Sequence, residues 1–292
     1  MSENWTVSTK SVGAFTIART YEVTVRMAQA YAAGVGDWNP LYFHDDASDS
    51  VFAPPCLVYR LQWNARHMPG VWLGTVPPTQ GVHSSTDLRF ERPLRVGDVL
   101  TVQGRRVAMR QLKPGVEVID RYEVRDGRGV LVATMHEGSI LRGAQVDGPD
   151  VSLEEISAPP AVDGSETGGW SAAVPIAREA PHLYTECADI WNPIHTERKV
   201  ALAAGLPDII FQGSAIAAIA ARELTNRVGH GDPSQLKRLV GQFRAMVVPG
   251  SDIAVECTGV RTSSAGRLAA FFEVKNERAG PAIKNGVALF EV

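Results

Sequence analysis

A short run recurs in this chain at a fixed distance: Asp37-Trp38-Asn39-Pro40-Leu41-Tyr42 is echoed by Ile190-Trp191-Asn192-Pro193-Ile194-His195, 153 positions later. The same offset carries Tyr31 onto Tyr184, Pro54 onto Pro207, Phe90 onto Phe243 and Gly97 onto Gly250, and brings 98–102 roughly onto 251–255. A chance repeat of three residues would not hold its register through to a distant strand, so the chain reads as two copies of one fold. Between the copies, Gly143, Gly148-Pro149, Pro159-Pro160 and the glycines at 164, 168 and 169 occur with little periodicity, as in a connector. The expected division is 1–142, a connector over 143–170, and 171–292, each half being of ordinary single-domain size.

Composition narrows the partners. With 29 Lys and Arg against 32 Asp and Glu, a net charge of −3 and no dense basic run, the chain lacks the footprint for nucleic acid or an anionic membrane surface. No stretch approaches the roughly 20 apolar residues of a spanning helix, and MSENWTVSTK lacks the layout of a signal peptide, so a cytoplasmic location is expected. Cys56, Cys187 and Cys257 are odd in number, far apart and outside any CxxC pair. They read as small buried apolar residues, with neither a disulfide framework nor a thiolate metal site indicated.

Each half opens with a helix-like segment (24–33 and 176–188) that runs into the Trp-Asn-Pro loop. Asn before Pro is driven out of the helical region and can bond its own backbone, so Asn39-Pro40 and Asn192-Pro193 each predict a rigid bend. In the second half 213–224 is apolar nearly all round and alanine-rich, a buried helix whose counterpart runs from about Pro55 to Arg66. Strand-forming runs follow at 82–90, 99–108, 116–124 and 131–141, and again at 238–243, 253–260, 268–274 and 285–292. One helix and then several antiparallel strands is an α+β unit, a sheet wrapped around a central helix, and two such units invite a paired sheet. Trp38 and Trp191 are expected to pack on the neighbouring helix, Lys199, Lys237 and Arg238 to be surface cations, and His44 and His83 to be structural or solvated.

These residues resemble the MaoC-like hydratase and dehydratase family in its fused double-hotdog form, over nearly the whole chain. The second half carries the likeness best, in Tyr184 to Glu197, Ala204 to Ile210 and Phe243 to Gly250. The first half contributes Asp37-Trp38-Asn39-Pro40 and Phe90 to Asp98. The resemblance implies reversible addition of water across the 2,3 double bond of an acyl thioester, on coenzyme A or a carrier protein, with (R)-hydroxyacyl stereochemistry and no metal or redox cofactor. It implies an Asp and a His from one D-x-N-P-x-H loop, and a helix N-terminus whose free N–H holds the thioester oxygen as charge develops there. By position that donor is Gly213, with Asn192 and Gln212 beside the substrate; the matching first-half residue is Arg60, so that half is expected to lack the donor. A homodimer is compatible, although two paired halves already complete the fold.

Neither half keeps the dyad intact. The first has Asp37 with Tyr42 in place of His, and the second has His195 with Ile190 in place of Asp. One account puts the site in the second half, with His195 as acid or base, Gly213 as oxyanion donor, and Asp189 or Glu197 orienting the imidazole. A second has Asp37 and His195 meet across the halves. A third is changed chemistry on the same scaffold: a different lyase, a thioesterase, or a module that only binds acyl thioesters.

Overall fold

The computed structural model describes residues 5–46, 51–66, 68, 80–155, 158, 165–262 and 267–291. The first half contains β1 (Trp5–Ser8), β2 (Arg19–Glu22), α1 (Val25–Gly34), α2 (Pro40–Phe43), α3 (Val58–Ala65), β3 (Gly81–Phe90), β4 (Val99–Leu112), β5 (Gly115–Asp126) and β6 (Leu131–Arg142). After β7 (Ala144–Asp147), β8 (Val151–Ser152) and β9 (Ser165–Thr167), the second half contains β10 (Trp170–Ile176), α4 (Ala180–Ala188), α5 (Arg198–Ala203), α6 (Gly213–Arg227), β11 (Leu236–Phe243), β12 (Ser251–Thr262), β13 (Arg267–Lys275) and β14 (Pro281–Glu291).

Among the described residues one antiparallel sheet runs β10-β12-β13-β14-β11-β3-β6-β5-β4-β2, with β9 added to β12 and β8 to β4. Each half contributes a contiguous block, and the two blocks join where β11 pairs with β3 from Arg238 opposite Arg89 to Gln242 opposite Ser85. The sheet curls around α3 and α6. Nine residues of α6 are buried, six of them Ala215, Ile216, Ala217, Ala218, Ile219 and Ala220. Alanine is the best helix former and its short side chain lets strands approach closely, so this helix suits the centre of a wrapped sheet.

The repeat is visible as symmetry. Tyr31 and Tyr184 meet edge-on with their hydroxyls 3.2 Å apart, where α1 packs against α4. A Cβ on Gly34 would lie 2.6 Å from that of Cys187, so this crossing needs glycine. Gly97 and Gly250 have φ of 89° and 88°, the same left-handed turn before the matching strands.

Four local expectations change. Residue 176 ends β10 instead of starting a helix, and α4 begins at Ala180. The stretch 143–170 carries β7, which pairs in parallel with β1, and β8 and β9, whose backbone groups find partners in the main sheet; Pro159, Pro160 and Gly164 lie outside the described residues. Trp38 and Trp191 are 69% and 58% exposed, so neither is buried in the core, although Trp38 does stack on Phe43 at the end of the adjacent α2. Arg238 is buried, forked onto Asp87 with both N···O distances 2.8 Å, because the β3–β11 seam sets the two halves' strands side by side there.

Candidate active site

The second Trp-Asn-Pro loop ends in a tight turn, Pro193–His195, capped by Asn192, whose side-chain oxygen accepts the Ile194 N–H at 3.3 Å. Asn39 does the same for Leu41 at 3.0 Å in the first half. Asn192 thus serves first as the cap that aims His195, although it also lines the cavity His195 enters.

His195 Nδ1 lies 2.8 Å from the Ile210 carbonyl. A carbonyl only accepts, so Nδ1 carries the proton and Nε2 is left with its lone pair. Burial disfavours the imidazolium and pulls the pKa down to about 4, partly offset by that carbonyl. Gly213 opens α6 and lines the cavity, and its predecessor Gln212 makes no side-chain cap, so the helix's first amides and the positive end of its dipole lie at the cavity wall. The Gln212 amide nitrogen instead donates to the Pro181 carbonyl and Thr185 Oγ1, both at 2.9 Å, tying α6 to α4. Its Oε1 is buried with no hydrogen-bond partner among the described residues.

The orienting group expected from sequence is a correction. Asp189 adopts a left-handed conformation with φ 53° at the end of α4, which turns its carboxylate out to solvent, 61% exposed. There it accepts from Asn64 at 3.0 Å and faces Arg60 at 3.7 Å. Arg60 also caps the Cys187 carbonyl, so this cluster closes the C-terminus of α4. Glu197 is exposed at the start of α5. The Ile210 carbonyl holds the imidazole in their place. Arg60 itself lies inside α3, so the first half presents no helix-opening glycine.

Asp37 is buried at the other end of α6, near Arg222 and Glu223, with its Oδ1 accepting the Asn39 N–H at 3.3 Å. Burial raises its carboxyl to about 6. From Gly213 to Arg222 is nine residues, roughly 13 Å of helix. The structure therefore does not bring Asp37 to His195; each belongs to a different end of the central helix.

What sequence reasoning missed is His83. It sits on β3 of the first half, beside a bulge between residues 83 and 85, and enters the second half's site. Its ring lies against Phe243 with centroids 4.2 Å apart and edge-on to Tyr59 at 6.0 Å. Its Nδ1 would be 3.6 Å from a Cβ on Gly213, and its Nε2 is buried with no hydrogen-bond partner among the described residues. Burial lowers its pKa to about 4. His83, His195, Gln212 and Gly213 line one cavity. The arrangement offers a neutral imidazole as base, a second imidazole, and a helix-end donor for a developing oxyanion.

A family model for the FAS1-like dehydratase domain region matches residues 10–135, and one for the MaoC like domain matches residues 169–278. The chain is 32% identical over 133 residues to a UPF0336 protein of Streptomyces avermitilis, covering 43% of this chain and 87% of that one. Among solved structures it is similar to a MaoC-like dehydratase from Phytophthora capsici, with a TM-score of 0.75 at 19% identity, covering 96% of each chain. A Mycobacterium tuberculosis protein described as having a double hotdog fold superposes with a TM-score of 0.65 at 16% identity, over 96% of this chain and 95% of that one. The fold is a double hotdog, in the α+β class.

Proposed function

We propose that this chain, which belongs to the MaoC-like dehydratase family, adds water reversibly to the 2,3 double bond of an enoyl thioester in its second half. The observation that carries the reading is the convergence of His195, with its lone pair free on Nε2, and the uncapped amide of Gly213 in one cavity. With the thioester oxygen on the Gly213 N–H, His195 Nε2 takes a proton from water as the water oxygen bonds C3. The double-bond electrons move toward the thioester oxygen, and the imidazolium returns its proton to C2. Water and the enoyl thioester combine with no further reactant, and one imidazole serves both directions, so an Asp at position 190 is not required. Negative charge developing beside the ring raises its basicity at the moment it is needed. The family likeness favours a coenzyme A or carrier-protein handle and an (R)-3-hydroxyacyl product.

The test is incubation with short and medium 2-enoyl-CoA, following loss of the conjugated thioester absorbance. Turnover is expected; acyl-CoA binding without turnover, or free thiol release, would replace this reading by a binding module or a thioesterase. Asp37→Asn and Asp189→Asn are each expected to change kcat/KM by less than about threefold, since neither carboxylate reaches the cavity. A strong loss in either would revive an Asp–His site.

Gly213→Ala is expected to lower kcat/KM about 10–100-fold with the fold retained. The added methyl would stand 3.3 Å from Phe243 and 3.6 Å from His83, where the thioester must lie. Steady-state kinetics with a melting curve on the same sample checks it.

A further inference from the structure

Side chains alternate across a strand, so the inner face of the first-half sheet can be followed row by row. Leu88, Met135, Tyr122 and Val102 belong to the main core, and Met109, Val116, Val118 and Leu141 to a separate cluster with Val7 of β1. Between these apolar rows runs a polar one. Arg106 stands opposite Asp120, Asp120 opposite Glu137, Glu137 opposite Thr86, and Thr86 opposite Gly241 of the second half.

This row faces the interior. Arg106 and Thr86 are 4% and 2% exposed. Arg106 pairs with Asp120 in a fork, at 3.0 and 3.3 Å, which engages both oxygens of that carboxylate. Glu137 accepts from the neutral amide of Gln62. Desolvation and the nearby Asp120 charge raise its pKa to about 7, with Arg66 opposing. Thr86 accepts from the Tyr59 hydroxyl at 2.8 Å, and Tyr59 is the ring that His83 meets edge-on. A continuous wall therefore leads from the His83 and Gly213 end to Glu137, and all of these residues line the same cavity. At the catalytic end that cavity also presents His83 Nε2 and Gln212 Oε1, both buried with no hydrogen-bond partner among the described residues.

A hydrocarbon laid against this row would strip its remaining water and return no hydrogen bond, a cost of the kind that makes polar-lined sites reject apolar analogues. We propose that the Arg106–Asp120–Glu137–Thr86 row is a second subsite that receives the far end of the acyl chain and selects chains carrying a hydrogen-bond donor there, a hydroxyl or a protonated amine, over plain alkyl chains. The proposal rests on the hydration reading for the position of the thioester. Glu137 is the principal acceptor, since Asp120 is already forked by Arg106.

The experiment compares kcat/KM for 2-enoyl-CoA series of increasing length ending in methyl, hydroxyl or ammonium. Wild type is expected to favour hydroxyl or ammonium over methyl of matched length by at least about tenfold. Glu137→Leu should abolish or reverse the preference. Glu137→Gln, which keeps the shape and removes the charge, should retain preference for hydroxyl and lose it for ammonium. Equal or better use of the methyl series by wild type, or an unchanged ratio in Glu137→Leu shown folded by its melting curve, overturns the subsite. If no enoyl thioester turns over, dissociation constants of the matching saturated acyl-CoAs decide. A donor-end preference that Glu137→Leu removes upholds the subsite without the hydration reading, and equal affinities overturn it.

Discussion

His195→Ala is expected to lower kcat for 2-enoyl-CoA hydration by about 10²–10⁴-fold while leaving the melting temperature above pH 7 close to wild type, because the variant loses the proton-transfer group and little of the core. His195→Gln should not rescue it, since an amide can bond the Ile210 carbonyl but cannot carry the proton. The pH profile gives a second readout. With its pKa pulled down to about 4 by burial, His195 stays neutral well below the usual histidine range, so the acid limb of kcat/KM should fall near pH 4 and not near 6.5. The same shift links to stability with a definite sign. Between about pH 6.5 and 4 the unfolded chain binds a proton at this position that the folded chain refuses, so this contribution is present above the unfolded pKa and is lost as pH falls through the folded one. His83 acts in the same direction over the same window. Removing either imidazole should flatten the fall in melting temperature across that range.

Asp87→Ala is expected to destabilise the protein by about 3–5 kcal/mol, the largest single effect on folding predicted here. Asp87 is 4% exposed and holds two cations at the seam, Arg238 of β11 through both oxygens at 2.8 Å and Arg89 of its own strand at 2.9 Å. Deleting the carboxylate removes the fork that holds the buried Arg238 and the contact with Arg89, between strands that join the two halves. Replacing the pair, Asp87→Leu with Arg238→Met, should cost far less than either single change, since a buried ion pair gains little over well-packed apolar residues. Urea unfolding of the two singles and the double checks this. A single Asp87→Ala within about 1 kcal/mol of wild type would show that the seam relies on its backbone ladder alone.

Much of the fold was legible because periodicity is local. Seven of the eight strand runs fall within structural strands, the eighth does so up to residue 291 where the described residues end, and the buried helices at 58–65 and 213–227 lie where apolar patterning placed them. The two Asn-Pro bends cap their turns through their own side chains, as residues of that chemistry must. Gly213 was recognisable as a helix opening because Gln212 ends an irregular stretch and an alanine-rich run begins. Positions whose role depends on a partner distant in sequence were not legible. His83 reads as an ordinary strand residue until β3 pairs with β11 and a bulge turns its ring toward α6. Arg238 reads as a surface cation until the same pairing sets it beside Asp87. Asp189 carries the right side chain one place early, and only its left-handed backbone reveals that it faces solvent.

The family resemblance implies that each half has lost one member of the same dyad, and the repeat with which the chain declares itself determined that there are two related α+β units. That followed from residue identity and spacing, which neighbours along the chain express through local backbone preference. The tertiary structure alone decided which remnants share a cavity. Asp37 and His195 are held at opposite ends of α6, while His83 crosses from the other half to stand beside Gly213. The polar row that lines the same cavity is likewise assembled from four separate strands. The reason is that cross-strand register and helix direction are fixed by burying the sheet's inner face around α3 and α6, and no single segment contains that information.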